Sequence, residues 1–407
     1  MTSTITDTSP FGLLRLPAQI NFGDGAVASV STLTTTLGTS VLICCDPVLA
    51  STAAFDRTRD SIERAGGRVR VWTDVQPELP VASVEHAAAA ARATEPDVVI
   101  GYGGGSALDL AKLVALLLRH GGQLSDYYGE NAVPGPIVPV IAVPTTAGTG
   151  SEVTPVAVVS DPDRDLKVGI SSPYLVPRYA VVDPTLTLGA PASVTAHAGI
   201  DAFVHAVESF TAAVRTPLWA NELPVFVGQN RLSTLLAQEA IGEIAANLVR
   251  AVQDPEDREA RTGMSYGSLL AGMAFGSAGT HLSHAIQYPV GALTKTPHGL
   301  GTGLLLPHVL RGCLPDIEPR LSTIGGLLGV DGPDSVRAQG AIQAIEGIVA
   351  GIGLPRSLAE IGITEDQLPA IASRASTISR LAGNVAASAP LERIPGIVAA
   401  AWRGDRT

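Results

Sequence analysis

Apolar residues come in short unbroken runs through the first half of the chain and in long helical windows through the second. Val41–Cys45, Arg68–Trp72, Val98–Tyr102 and Val138–Val143 have the length and β-branched content of strands. Ser51–Ala65, Val81–Thr94 and Ala107–Arg119 lie between them and have helical length, and the run Ala87–Ala91 favours helix strongly. Strands alternating with such helices predict βαβ units and a parallel sheet. Pro155–Ser160, Lys167–Ile170 and Tyr179–Val182 read as further strands. Beyond Asp183–Pro191 the two-residue alternation stops, and Ala202–Ala213, Leu232–Ala251, Glu259–Phe275, Ser335–Ile352 and Leu358–Ile371 read as helices. The pattern predicts an α/β domain over residues 1–190 and an α-helical domain over residues 191–407.

With 46% apolar and 16% charged residues in 407, the chain can bury a large core. Basic residues number 27 against 38 acidic ones, a net charge of −11, and no Lys/Arg block stands out. A nucleic-acid or anionic-membrane partner is therefore not expected. No apolar stretch has the length of a membrane span, and Met1–Pro10 lacks the basic and apolar regions of a secretory signal. Cys44, Cys45 and Cys313 form no disulfide framework and no CxxC spacing, which fits a cytoplasmic protein. Only three of the 27 basic residues are lysines: Lys112, Lys167 and Lys295. A chain that nearly avoids lysine invites the reading that some are kept where an ammonium is needed.

Three segments carry candidate chemistry. Gly103-Gly104-Gly105-Ser106 follows the strand Val98–Tyr102 and opens a helix, where free backbone amides and the helix dipole suit a phosphate. A plain turn accounts for it equally well, and the GxGxxG spacing is missing. Asp46 ends the first clear strand, where a carboxylate can hold ribose hydroxyls and repel a 2′-phosphate. It is also a good helix cap before Pro47. Thr145, Thr146 and Thr149, in the segment PTTAGTGSE, follow the fourth strand, at the edge where open α/β sheets bind ligands. In the second half, Asp201 and His205 are four apart and share one helix face, with His284 and His298 further along. One carboxylate and three imidazoles can bind a divalent first-row metal, although most DxxxH pairs are ordinary surface contacts.

GYGGGSALDLAK, PTTAGTGSEVTP, GIDAFVHAVESF and HAIQYPVGALTKTPHG occur in this order, preceded by the turn Ile20–Ala26. Together they resemble the iron-containing (group III) alcohol dehydrogenase family over about residues 15–400. The resemblance implies an N-terminal α/β dinucleotide-binding domain with a parallel sheet and an all-α C-terminal domain, an architecture like that of dehydroquinate synthase. It implies NAD and Fe(II), with Zn(II) an acceptable substitute, and Asp201, His205, His284 and His298 as metal ligands. Gly104, Gly105, Ser106 and Asp109 are then expected at the pyrophosphate and nicotinamide, Thr145, Thr146 and Thr149 along the same cofactor, Lys167 reaching it, and Asp46 at the adenosine ribose. The implied reaction is metal-dependent hydride transfer between NAD(H) and a small alcohol or aldehyde: a primary alcohol, a hydroxy acid or a semialdehyde. A homo-oligomer, dimer or larger, is implied as well.

The chain departs from the family pattern in places. Many members carry a further His four residues after the position of His284, where this chain has Tyr288. That form looks like the hydroxyacid–oxoacid transhydrogenase branch, although the insertion that branch carries before its PHG is missing. Tyr288 and the additional His281 are then the candidates for proton transfer. Pro77–Pro80 reads PELP where the family usually has PNPT at the cofactor's edge. A metal-free reductase of the maleylacetate reductase type, a lyase of the dehydroquinate-synthase type and a non-enzymatic nucleotide binder are the competing readings. Retention of all four ligand positions argues against the first and the last.

Overall fold

A computed structural model describes residues 10–164 and 167–405. The stretch Met1–Ser9, on which the reading of a missing secretory signal largely rests, lies outside the described residues. Contacts divide the described residues into Arg15–Ala190 and a second unit formed by residues 191–405 with residues 10–14.

Among the described residues, the first unit holds nine strands: β1 (Gln19–Phe22), β2 (Ser40–Cys45), β3 (Arg68–Trp72), β4 (Val98–Gly103), β5 (Gly129–Glu130), β6 (Val140–Pro144), β7 (Val156–Val159), β8 (Val168–Ser171) and β9 (Tyr179–Val182). Six of them form a wholly parallel sheet in the order β1-β9-β6-β4-β2-β3. Neighbouring side chains on β2 fall on opposite faces. Leu42 and Cys44 join one core cluster, Val41, Ile43 and Cys45 the other. Both faces are thus apolar, which is why these strands read as continuous runs rather than alternating ones. The helices α1 (Val30–Thr35), α2 (Pro47–Ala50), α3 (Ala53–Arg64), α4 (Val81–Arg92) and α5 (Gly105–His120) connect the strands. One face packs against α1 and α3, through Val30, Leu33, Phe55 and Ile62, and the other against α4 and α5, through Val84, Ala87 and Leu110. A small second sheet, β5-β8-β7, packs on the α4/α5 side. The adjacent cysteines are fully buried, free thiols, and burial pushes Cys45 up to about 12.

The second unit is helical: α6 (Ala192–Thr211), α7 (Arg231–Gln253), α8 (Arg258–Ala278), α9 (Leu282–Thr294), α10 (His298–Leu327), α11 (Asp334–Gly351), α12 (Leu368–Thr377), α13 (Ser379–Ala382) and α14 (Pro390–Arg403). Apart from two-residue bridges it contains no strand among the described residues. None of the described helices is long and apolar enough to cross a membrane.

Two expectations need correction, and one element was not expected. Residues 10–14 belong with the helical unit, not with the α/β domain: Arg231 N–H donates to Phe11 O and Ser277 Oγ to Leu13 O, while Asn230 Oδ1 accepts from Leu13 N. The helix expected over Leu358–Ile371 starts only at Leu368, because the chain turns over 358–362 with Gly362 at φ 90°. The longest described helix, α10, is missing as an element from the expected pattern. It runs through Pro307, Pro315 and Pro319, each of which removes a helical donor and reads as a breaker.

Candidate metal and dinucleotide sites

In the parallel sheet, β2, β4 and β6 are neighbours, with Cys45 opposite Tyr102 and Gly103 opposite Pro144. The segments leaving their carboxyl ends therefore emerge side by side: Asp46, the Gly104–Ser106 turn, and the Thr145–Thr149 loop. The chain leaves β2 towards the edge strand β3 and returns to β4 on the other side, so the order reverses at β2/β4. That switch is where open α/β sheets bind ligands.

The glycine turn is shaped by its neighbours. Thr145 N–H donates to Gly103 O at 3.0 Å, joining the turn to the threonine loop. A Cβ on Gly105 would sit 2.7 Å from Thr149 Cγ2, so only glycine lets the loop come this close. Gly104 caps α5 with extended backbone and no side chain caps the helix, which leaves its first amides available to an anion. Ser106, Thr146 and Thr149 are half-buried here. Asp46 is the N-cap of α2, its Oδ1 accepting from Val48 N at 2.8 Å, so the capping role and a ribose contact through Oδ2 are compatible.

Asp109, Lys112 and Lys167 do other work. Asp109 accepts from Ser151 Oγ at 2.6 Å and from Val158 N at 3.0 Å, so both its oxygens brace the segment after the threonine loop. Lys112 is fully buried, and its Nζ donates to the carbonyls of Thr154 and Val156, both at 2.9 Å. Burial pushes its ammonium down to about 8. Lys167, expected to reach the cofactor, pairs with Glu78 at 3.0 Å. Lys295 is the left-handed cap at the end of α9, with φ 56°.

In the helical unit, α6 carries Asp201 and His205 one turn apart, α9 carries His284, and His298 is the first residue of α10. Donor atoms of Asp201, His284 and His298 all lie within 4.8 Å of one another. His284 Nε2 is 3.9 Å and His298 Nε2 3.8 Å from Asp201 Oδ1. His205 lies directly beside this set. Its Nε2 is 3.6 Å from Asp201 Oδ2, and its ring stacks on that of His284 at 5.0 Å. Asp201 is held in place by Thr302, whose Oγ1 donates at 2.9 Å. Burial pushes the Asp201 carboxyl up, but His205, His298, His284 and the Thr302 bond outweigh it and hold it below its ordinary value.

The donor set fits a divalent first-row cation, one carboxylate and imidazole nitrogens being its usual ligands. The buried His284 Nε2 has no hydrogen-bond partner, while the same ring's Nδ1 is bonded to Glu208 Oε2 at 2.7 Å. A buried polar atom left without a partner is costly in a protein interior, and an electron-pair acceptor at that point relieves the cost.

Of the two proton-transfer candidates, Tyr288 lies beside the cluster, its ring 6.1 Å from that of His298. His281 does not fit the role. It is fully buried as the N-cap of α9, its Nε2 pairs with Thr211 Oγ1 at 2.8 Å, and its Nδ1 faces the Leu282 amide at 2.8 Å and Glu208 at 3.1 Å. Glu208 and Thr302 are the residues the sequence reading missed. Glu208 had a signal, lying seven residues after Asp201 on the same helix face. Thr302 had none apart from its place one turn after His298.

The iron-containing alcohol dehydrogenase pattern matches residues 17–184, and the C-terminal pattern of the Fe-containing alcohol dehydrogenase family matches residues 195–402. Long-chain-alcohol dehydrogenase 1 of Geobacillus thermodenitrificans is 36% identical, covering 84% of this chain and 84% of its own. The NAD-dependent methanol dehydrogenase of Bacillus methanolicus is 34% identical over 88% and 91%. The crystal structure of a 1,3-propanediol oxidoreductase superposes with a TM-score of 0.89 at 31% identity, covering 96% of this chain and all of that one. With both of its units matched, the chain belongs to the iron-containing alcohol dehydrogenase family and is an oxidoreductase of that family.

Proposed function

We propose that the enzyme transfers hydride between NAD(H) and a small alcohol or aldehyde at a divalent metal, Fe(II) or Zn(II), held by Asp201, His284 and His298 with His205 as fourth ligand. The observation that carries this is the donor cluster of buried Asp201 and His284 with half-buried His298, in which His284 Nε2 is left without a hydrogen-bond partner. Bound there, the ion supplies a Lewis acid for the substrate oxygen, and the nicotinamide supplies the hydride chemistry.

The chain's own residues do the rest. Amides at the start of α5 and the Gly104–Gly105 turn accept the pyrophosphate, with Ser106, Thr145, Thr146 and Thr149 beside it. Asp46 receives ribose hydroxyls and repels a 2′-phosphate, which favours NAD over NADP. Asp109 reaches this site only by bracing Ser151 and Val158. Thr302 fixes the Asp201 carboxylate, and the Tyr288 hydroxyl is the protein's proton carrier beside His298.

Relatives named for methanol, long-chain alcohols, 1,3-propanediol and sulfoacetaldehyde support a primary alcohol or aldehyde as substrate without choosing among them. Three buried free thiols support an enzyme of the cytoplasm, and the family resemblance supports a homo-oligomer. The test is elemental mass spectrometry of protein purified without oxygen, followed by an NADH-linked screen of aldehydes and oxo acids. The expected result is about one Fe or Zn per chain, lost with turnover in His284→Ala while NADH binding persists. Protein that takes up neither metal and still reduces a substrate returns the metal-free reductase reading.

A further inference from the structure

Glu208 is fully buried on α6, two turns from Asp201, and every strong donor around it belongs to the start of α9. His281 N–H donates to its Oε2 and Ser283 N–H to its Oε1, each at 2.7 Å. The His284 ring adds a third bond, Nδ1 to Oε2 at 2.7 Å. A carboxylate that accepts two backbone amides offers the ring only an acceptor, so the proton of this bond sits on His284 Nδ1. The lone pair is then on Nε2, the atom that faces Asp201.

We propose that Glu208 is a positioning residue: it locks His284 in the Nδ1–H form, aims Nε2 at the metal and makes that nitrogen a stronger donor. It touches neither cofactor nor substrate and acts through His284. The same carboxylate fastens the first turn of α9 to α6, so one side chain sets both the tautomer of a ligand and the register of the helix carrying it. Outer partners of ligating histidines work in this way, and their loss typically weakens metal binding by about 10–100-fold. The inference rests on the metal reading above.

Two readouts test it without turnover. The first is the tautomer of His284 in metal-free wild-type protein, read at high pH from histidine nitrogen shifts with His284→Ala for assignment. Nδ1–H is expected, and Nε2–H overturns the proposal. The second is Co(II) and Zn(II) affinity by competition with a chelator, in wild type, Glu208→Gln, Glu208→Ala and Thr211→Val. The glutamine variant keeps the shape but has one acceptor oxygen for three donors. It is expected to bind metal at least about 10-fold more weakly, the alanine variant more weakly still. Thr211→Val removes the partner of His281 Nε2 and loosens the same helix end without touching the His284–Glu208 bond. Its metal affinity is expected to stay within a factor of two or so of wild type. Equal losses in Thr211→Val and Glu208→Gln reduce Glu208 to a structural brace, and unchanged affinity in folded Glu208→Gln overturns the proposal outright. Wild type that binds neither ion overturns the metal reading itself, an outcome distinct from a failure confined to Glu208.

Discussion

Gly299 and His197 pack backbone to backbone. A Cβ on Gly299 would overlap the His197 carbonyl oxygen and crowd Asp201 Cβ at 3.0 Å. The glycine after His298 is therefore what lets α10 approach α6 closely enough to bring His298 and Asp201 together. Gly299→Ala is expected to push the first turn of α10 outward and weaken Zn(II) or Co(II) binding on the order of 10-fold. Gly326→Ala, on the same helix with open space around it, is the control. Equal metal affinity in the two variants would show that this approach does not position His298.

Asp46 is both a cap and the proposed ribose acceptor, and Asp46→Ser separates the two roles. Serine caps nearly as well as aspartate, so the melting temperature is expected to stay within a degree or two of wild type. The preference for NAD over NADP, taken as the ratio of kcat/KM values, is expected to fall. An unchanged ratio would leave Asp46 as a turn residue only.

Legibility followed the physics of each element. The parallel strands were readable because burial on both faces makes them continuous apolar runs, and α4 because the run Ala87–Ala91 favours helix. Helix α10 was hidden, since its prolines are tolerated only through packing against α6, α9 and α11, which is tertiary information. Residue type and the Asp201–His205 spacing raised Asp201, His205, His284 and His298 as a candidate set, the resemblance implied them as ligands, and the fold brings donor atoms of Asp201, His284 and His298 together. Glu208 was missed because its role depends on the start of α9, about 75 residues away in sequence, folding back onto it. At Lys112 the rare residue type marks a constraint of the same kind, two backbone carbonyls met by a buried donor.

Lys112→Met tests that account. The substitution leaves the Thr154 and Val156 carbonyls without their donor and removes the cation nearest Asp109 and Glu152. Breaking one side of such a buried arrangement costs on the order of 3 kcal/mol, expected as a lower denaturation midpoint of the α/β unit. Because Lys112 braces the segment that follows the threonine loop, the dissociation constant for NADH is expected to rise while metal affinity in the helical unit is unchanged. Tight NADH binding in a destabilised variant would mean that the loop holds its shape without this brace.

His308 gives the helical unit an acid limit unrelated to the metal cluster. It is buried on α10, its Nδ1 has no hydrogen-bond partner, and burial, with Arg311 adding to it, pushes its pKa from 6.5 down to about 4. The unfolded chain therefore binds a proton here that the folded chain refuses between pH 6.5 and 4. Stability from this group is full above pH 6.5 and declines as pH falls through that window. The loss by pH 4 is about 3 kcal/mol, from a shift of 6.5 − 4 = 2.5 pH units. His308→Gln removes the titrating group and keeps a polar side chain of similar size. Its urea midpoint is expected to be lower than that of wild type at neutral pH, from imperfect packing, and to fall less steeply on acidification. Parallel declines in the two proteins over the window would show that carboxylates elsewhere, not His308, set the acid limit.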